Sequence, residues 1–139
     1  MESKQSEQAK IYLQTALNAL QAISPNDINE FRNLAMPPPT IYLIVQAIAI
    51  LFRVISKADD MYWGSLKVIL RPVPEFMNKL KMFHENHPQI EINVRNAALS
   101  ALGSEMTETN VRNYGFACAP LFVWITNMLK YYEICDNRH

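Results

Sequence analysis

The sequence has little glycine, little cysteine and no long uninterrupted apolar run. Only three of its 139 residues are glycine, while half are hydrophobic. That composition suits a packed helical domain and argues against a disordered chain or a turn-rich β fold. Basic and acidic residues number 13 each, so the formal net charge is zero. Nucleic acid, which calls for a basic surface, is therefore not a predicted partner.

The two cysteines, Cys118 and Cys135, are too far apart for a disulfide. Both fall in one predicted helix, and at 1.5 Å per residue they lie roughly 25 Å apart. Two free thiols, no N-x-Ser/Thr site and no signal peptide predict a reducing, cytoplasmic compartment. The most apolar run, Ile41 to Ile55, is interrupted by Gln46 and Arg53. Since a membrane span needs about 20 apolar residues, we interpret this run as a buried helix and predict no membrane partner.

Hydrophobic periodicity predicts a series of helices separated by proline and polar breaks. The predicted helices cover about 6–23, 25–34, 40–55, 61–70, 75–84 and 91–102, with a last and longest helix that opens at 107–110. Ser24 and Thr40 are the expected N-caps of the second and third helices, and Gly103 is the expected stop of the sixth. Pro120 falls inside the last helix, where we expect a kink.

Both ends of the chain carry seams typical of a coiled coil. The first helix has a leucine stripe beside small residues, formed by Leu13, Leu17, Leu20 and Ile23 with Ala9, Ala16 and Ala19. Apolar positions of the last helix alternate steps of three and four, at Cys118, Leu121, Ile125, Met128, Tyr132 and Cys135. If the seams pair, they run antiparallel, because the bundle returns the chain to its starting point. The predicted fold is all-α, a compact six-helix bundle on a short antiparallel coiled-coil stub. Its predicted parts are a first coil helix (1–24), a helical tip (25–120) and a second coil helix (121–139).

No catalytic, cofactor or metal site is predicted. The segment 84–87 (HENH) lacks the spacing of a zinc-binding H-E-x-x-H helix, so we interpret His84 and His87 as solvated loop residues. Glycine-rich phosphate loops and the G-x-S-x-G elbow are absent from the sequence. Cys118 is interpreted as a buried residue rather than a reactive thiol, and Trp63 and Trp124 as core anchors rather than ligand platforms.

Four segments, in this order, resemble the microtubule-binding domain at the tip of a dynein heavy-chain stalk, of the axonemal type. They are residues 19–33 (ALQAISPNDINEFRN), the three prolines 37–39 with the apolar helix 41–52, Tyr62-Trp63 with the apolar positions through Phe83, and 117–124 (ACAPLFVW) with 128–132. The resemblance covers about residues 10–136. One departure is Val123, since many family members carry lysine just before the tryptophan.

The resemblance implies a binding module rather than an enzyme. The tip would dock on the acidic surface of tubulin, and a slide of one stalk helix against the other, driven by ATP turnover in a distant ring, would switch its affinity. The implied microtubule contacts are Asn29, Arg32, Asn33, Lys67, Arg71, Arg112 and Asn113. Pro25 and Pro120, where stalk meets tip, are the implied hinges. The implied location is the cytoskeleton, in the axoneme of a cilium or flagellum.

Three alternatives stay open. Only residues 41–103 are net positive, with seven basic and five acidic groups, so the tip would bind microtubules weakly and carry a second partner. Within the family, a leucine-rich-repeat light chain is such a partner, and its expected seat is Phe76, Lys79, Phe83 and His87. A helical adaptor would instead dimerise through the Leu121–Tyr132 seam, whereas the stalk interpretation expects a monomer. A small helical enzyme is disfavoured by the missing catalytic constellation.

Overall fold

The computed structural model describes residues 4–55, 62–112 and 117–137, and every regular element in these ranges is helical. The elements are α1 (Lys4–Leu20), α2 (Pro25–Arg32), α3 (Pro39–Leu51), α4 (Trp63–Leu66), a 3₁₀ helix (Lys67–Leu70), α5 (Val73–Asn86), α6 (Ile92–Leu102), α7 (Glu108–Val111) and α8 (Cys118–Asn137). The predicted all-α fold class is confirmed.

Helix α2 begins where the sequence predicts, because Ser24 caps it. The Ser24 hydroxyl accepts a hydrogen bond from the backbone N–H of Asp27 at 3.3 Å, and the Asp27 carboxylate accepts one from the backbone N–H of Ser24 at 2.9 Å. This reciprocal pair is a capping box. Pro25 takes the first helical position, where a missing N–H costs no hydrogen bond. The indole of Trp63 donates to the carbonyl of Leu34 at 2.8 Å, so α4 is tied to the end of α2.

Several predicted boundaries are wrong by a few residues. Thr40 does not cap α3, since the helix already begins at Pro39 and has no side-chain cap. The predicted helix 61–70 is a single α-turn followed by a 3₁₀ helix. The predicted helix 75–84 ends too early, because α5 continues two residues further to Asn86, and the connection that follows begins at His87. Gly103 ends α6 as predicted, with a φ of 80° that glycine adopts without a steric penalty.

Helix α3 ends in a motif that normally uses glycine. Arg53 donates its N–H to the carbonyl of Ile50 at 3.0 Å, and Val54 donates to that of Ala49 at 2.9 Å. These two bonds define a Schellman motif, whose first residue beyond the cap lies in the left-handed region. Arg53 has a φ of 62° there, although it carries a Cβ atom. The chain therefore holds a strained arginine at the end of its most buried helix.

Replacement of Arg53 by glycine should raise the free energy of unfolding by about 0.5–1 kcal/mol. Glycine removes a left-handed penalty of about 1–2 kcal/mol, part of which is lost to the greater freedom of glycine in the unfolded chain. Urea denaturation at constant slope measures the change. Arg53→Ala is the control, because alanine keeps the Cβ and should give no gain. Equal stabilisation by Arg53→Gly and Arg53→Ala would show that the gain comes from removal of the arginine side chain rather than from relief of the backbone conformation.

The last helix does not run unbroken from Thr107. Thr107 caps the short α7, accepting the N–H of Asn110 at 3.2 Å, and α8 begins separately at Cys118. Pro120 is thus the third residue of α8 rather than an interior one. In the first turn a proline removes no intrahelical bond, so the predicted kink is wrong.

Helices α1 and α8 form the most extensive contact between any two described helices. On α1 the most buried positions are Ala9 and Ala16, at 2% and 0% exposure, whereas Leu13 and Leu17 are only half-buried. The predicted seam of α8 is buried from Cys118 to Tyr132. Because the chain covers this seam with its own helices, the adaptor dimer predicted through Leu121–Tyr132 has no free apolar surface there.

The far end of α8 is fixed to the tip. The guanidinium of Arg95 on α6 contacts the Asp136 carboxylate at 2.6 Å. One turn earlier, the Tyr132 hydroxyl donates to the backbone carbonyl of His87. Trp124, in the first half of α8, is fully buried beside Phe83 of α5. Helix α8 is therefore a core element of the tip along its length, and the domain boundary at 120/121 stays a prediction.

Candidate functional site

Three of the predicted contact residues lie together on one surface. Arg32 is the last residue of α2. Lys67, 35 positions later, begins the 3₁₀ helix, and Arg71, 39 positions later, directly follows it. All three line one cavity of about 170 Å³, together with Gly64 and Val68. We call the surface formed by Asn29, Arg32, Lys67, Val68 and Arg71 the basic face.

Local packing turns these side chains outward. On α2, Ile28 and Phe31 are buried in the core, which leaves Asn29 and Arg32 at the surface. Around the 3₁₀ helix, Leu66 and Leu70 are fully buried and Ile69 packs against the core, which leaves the other nearby positions to reach the surface. Lys67 is half-buried, whereas Val68 and Arg71 are exposed. The apolar spacing of both elements therefore determines which charges reach the surface.

Asn29 orients Arg32. Its side-chain carbonyl accepts a hydrogen bond from the Arg32 guanidinium at 3.0 Å, one helical turn away. This bond fixes part of a long, flexible side chain before any partner arrives, which lowers the entropy lost on binding. Asn29 and Arg32 also line a second cavity of about 670 Å³. Asn29 is therefore a positioning residue for the arginine.

The basic face groups three cations around its two cavities, and Glu30 of α2 and Glu75 of α5 are exposed outside the lining of both. The described lining of its two cavities includes Arg32, Lys67 and Arg71 and no acidic side chain. The nearest carboxylate on α2 with a defined role, that of Asp27, caps Ser24. Exposed ion pairs contribute about 0–1 kcal/mol each, so the three cations together suit an acidic partner that is bound reversibly.

The other predicted contacts lie apart from the described lining of these cavities. Asn33 is exposed at the C-terminal cap of α2. Arg112 is exposed after α7, and its guanidinium pairs with the Glu108 carboxylate at 2.8 Å, which offsets its charge. Asn113 lies outside the described residues. The structure thus brings together four of the seven predicted residues, namely Asn29, Arg32, Lys67 and Arg71.

Two of the four residues of the predicted light-chain seat belong to the core. Phe76 and Phe83 are 1% and 2% exposed, and Phe83 packs against Phe52, His87, Trp124 and Tyr132 with ring centres 4.6 to 6.0 Å apart. Lys79 is exposed, with its ammonium 6.0 Å from the centre of the Phe52 ring. Of the four predicted residues, Lys79 and the half-buried His87 are the two with side chains accessible to a partner. The light-chain seat stays a prediction.

The groups interpreted as core residues lie in the core. Cys118 is fully buried, and burial raises the pKa of its thiol to about 12, so it stays protonated at neutral pH and is a poor nucleophile. Trp63 and Trp124 are 6% and 0% exposed. His84 lies within α5 with its side chain 20% exposed, so its interpretation as a solvated loop residue is wrong. His87 lies in the connection after α5, as predicted, and is half-buried.

Within ranges 4–55, 62–112 and 117–137, no cluster of three or more histidine, cysteine or acidic side chains is placed to hold a metal ion. The helices of these ranges are also too short or too polar to cross a bilayer.

Sequence reasoning missed the apolar part of this surface. Val68, Pro72, Val73 and Pro74 line the cavity of about 670 Å³ together with Pro25 at the start of α2. Val68 is 44% exposed although its neighbours Leu66 and Leu70 are buried. The available signal was the pair of prolines, which stops the 3₁₀ helix and leaves the valine on its outer side.

Comparison with known proteins gives one consistent result. A family model described as the microtubule-binding stalk of dynein motors matches residues 2–138. Dynein axonemal heavy chain 11 of Sus scrofa is 27% identical over 140 residues and covers 96% of the chain. Dynein axonemal heavy chain 17 of Homo sapiens is 27% identical over 131 residues, and the ciliary dynein beta chain of Heliocidaris crassispina 25% over 127, each covering 89% of the chain. The chain spans about 3% of the length of each of these relatives.

Proposed function

The chain belongs to the family of microtubule-binding stalks of dynein motors, and from this premise we propose that the basic face is its docking surface for tubulin. One observation carries the proposal. Arg32, Lys67 and Arg71 come from elements far apart in sequence and meet around a shared cavity with no described acidic residue in its lining. An acidic partner surface would satisfy these charges, and tubulin is such a surface.

The helix pair α1–α8 supports a switch of affinity by register. Arg95–Asp136 and Tyr132–His87 fix α8 to the rest of the bundle, whereas the most buried positions of α1 are Ala9, Ala16 and Leu20. Two of these three positions are alanines, and small side chains provide fewer of the large knobs that would select one register. We propose that a shift of α1 along α8 is passed to α2, which carries one part of the basic face.

The hinges of this movement are proposed at the predicted prolines. Pro25 begins α2 and lines the cavity of about 670 Å³, so a change in the direction of α2 would alter the spacing between Arg32 and Arg71. Pro120 lies in the first turn of α8, where the helix leaves the segment that follows α7. Movement at these positions would change affinity without unfolding the core.

We further propose that the chain is the stalk tip of an axonemal dynein heavy chain, located in the cytoskeleton of a cilium or flagellum. The relatives it matches are axonemal, ciliary and flagellar heavy chains. The described residues form a binding module, and the ATP turnover that drives the switch belongs, in this proposal, to other parts of the heavy chain.

Substitution of Lys67 by alanine should weaken microtubule binding about two- to fivefold at low salt. Lys67 lines the same cavity as Arg32 and Arg71, and its ammonium would pair with carboxylates of the partner for up to about 1 kcal/mol. Co-sedimentation over a salt series should also show a shallower salt dependence, since one screened contact is lost.

Lys79→Ala is the matched control, because it removes an exposed lysine from α5 without touching the basic face. A larger loss of binding for Lys79→Ala than for Lys67→Ala would contradict the proposed docking surface. Lys79→Ala also tests the predicted light-chain seat. If Lys79→Ala failed to capture the light chain while Lys67→Ala still captured it, the predicted seat would be supported.

A further inference from the structure

The cavity of about 670 Å³ in the basic face has a largely apolar lining. Five apolar residues line it, namely Pro25, Val68, Pro72, Val73 and Pro74, and the polar lining consists of Asn29, Arg32 and Arg71. It lies between the start of α2 on one side and the segment 68–74 on the other. The lining thus combines an apolar groove with two arginines, Arg32 and Arg71.

This groove is largely preformed. Pro25, Pro72 and Pro74 have rigid rings with no rotamer freedom to lose when a partner contacts them. Val73 is 5% exposed, so the core holds it in place, while Val68 remains 44% exposed at the open side. A ligand group entering the groove would therefore meet a fixed surface and gain apolar burial without an ordering cost in the groove itself.

The charges around the groove limit the kind of partner that fits. Arg32 and Arg71 lie in its lining and Lys67 in that of the adjoining cavity, so any surface that covers the groove meets three cations. A neutral apolar surface would leave these cations desolvated and unpaired, which is unfavourable. A partner with carboxylates around one projecting apolar side chain satisfies both parts.

We propose that the groove receives an apolar side chain from the acidic surface on which the basic face docks, with Val68 as the central contact. This inference rests on the proposed function, since it takes tubulin as that surface. Docking then has two components with different salt responses. Contacts of Arg32, Lys67 and Arg71 are screened by salt, whereas burial of Val68 is not.

The test is microtubule co-sedimentation of Val68→Ser at low and at high salt. The serine variant should bind about fivefold more weakly at both salt concentrations, because the buried methyl groups are lost, and the salt dependence should keep its slope. Val54→Ser is the matched control, since Val54 is a 56% exposed valine that does not line the groove. Thermal unfolding of both variants checks that each remains folded.

The outcomes separate this inference from the proposed function. If Val68→Ser bound microtubules as tightly as the unmodified chain at both salt concentrations, the groove contact would be overturned. If Lys67→Ala still bound more weakly in the same experiment, the proposed docking surface would stand without the groove contact. A Val68→Ser defect that disappears at high salt would also overturn it, because the valine would then act only through the cations. If neither Val68→Ser nor Lys67→Ala weakened microtubule binding, the proposed docking surface itself would be rejected.

Discussion

Substitution of Phe83 by alanine should lower the free energy of unfolding by about 3–5 kcal/mol, a large share of the stability of a small domain. Phe83 is 2% exposed and lies at the centre of an aromatic cluster with ring-centre distances of 5.9 Å to Phe52, 5.7 Å to Trp124 and 6.0 Å to Tyr132. These three rings belong to the end of α3 and to α8, so the cavity left by the substitution would loosen α5 from both. Urea denaturation measures the loss.

Phe122→Ala is the matched control, since Phe122 is a half-buried phenylalanine at the edge of the core. It should cost less than half as much as Phe83→Ala. Equal losses for the two variants would mean that Phe83 is not central to the core. The result also affects how the light-chain seat is tested, because a destabilised Phe83 variant would lose any partner for structural reasons.

Removal of the Asp136 carboxylate should destabilise the chain by about 2 kcal/mol. Asp136→Ala leaves the Arg95 guanidinium without its partner, and the side chain of Arg95 is only 7% exposed. Breaking a buried pair costs about 3–5 kcal/mol, and the 53% exposure of the Asp136 side chain lowers this figure. Chemical denaturation gives the value, and hydrogen exchange should show increased opening at the contact between α6 and α8.

Glu133→Ala is the control for this pair, because it removes an exposed carboxylate three residues earlier in α8. Its effect should stay within about 0.5 kcal/mol. The double variant Arg95→Leu with Asp136→Ala should recover part of the loss, since an apolar side chain does not need a charged partner. An Asp136→Ala variant as stable as Glu133→Ala would show that the pair does not fix α8.

Local signals in the sequence predicted the helix starts and stops that depend on neighbouring residues alone. Ser24 and Asp27 form a capping box within four positions, and Gly103 ends α6 with its left-handed backbone. Both features follow from residues a few positions apart, so periodicity and capping chemistry were sufficient. The apolar seam of α8 was predictable for the same reason, since its spacing alone defines a face.

Features that depend on distant residues could not be predicted. The apolar positions Phe76 and Phe83 define one side of α5, but nothing in their spacing shows that α3 and α8 cover that side. Pro120 was placed inside a long helix because the pattern does not mark the separate start of α8. Arg53 occupies the position after the cap of α3 where glycine is usual, so the sequence has no glycine that would mark the end of this helix.

The candidate site was predicted in part. Resemblance to the dynein stalk supplied Arg32, Lys67 and Arg71 individually, but their meeting around one cavity depends on the packing of α2 against the 3₁₀ helix. Val68 was missed because an isolated valine between buried leucines reads as another core position. The groove exists only once Pro25 and the segment 72–74 are brought together.

The pairing of α1 with α8 has a consequence for how so short a coiled coil persists. Helices of 17 and 20 residues take most of their stability in a protein from packing, and two separate chains would also lose translational freedom on pairing. Here the folded bundle links the two helices, so their association is intramolecular and proceeds at a high effective concentration. The folded bundle therefore keeps α1 and α8 paired, and its unfolding would remove the link that makes their association intramolecular.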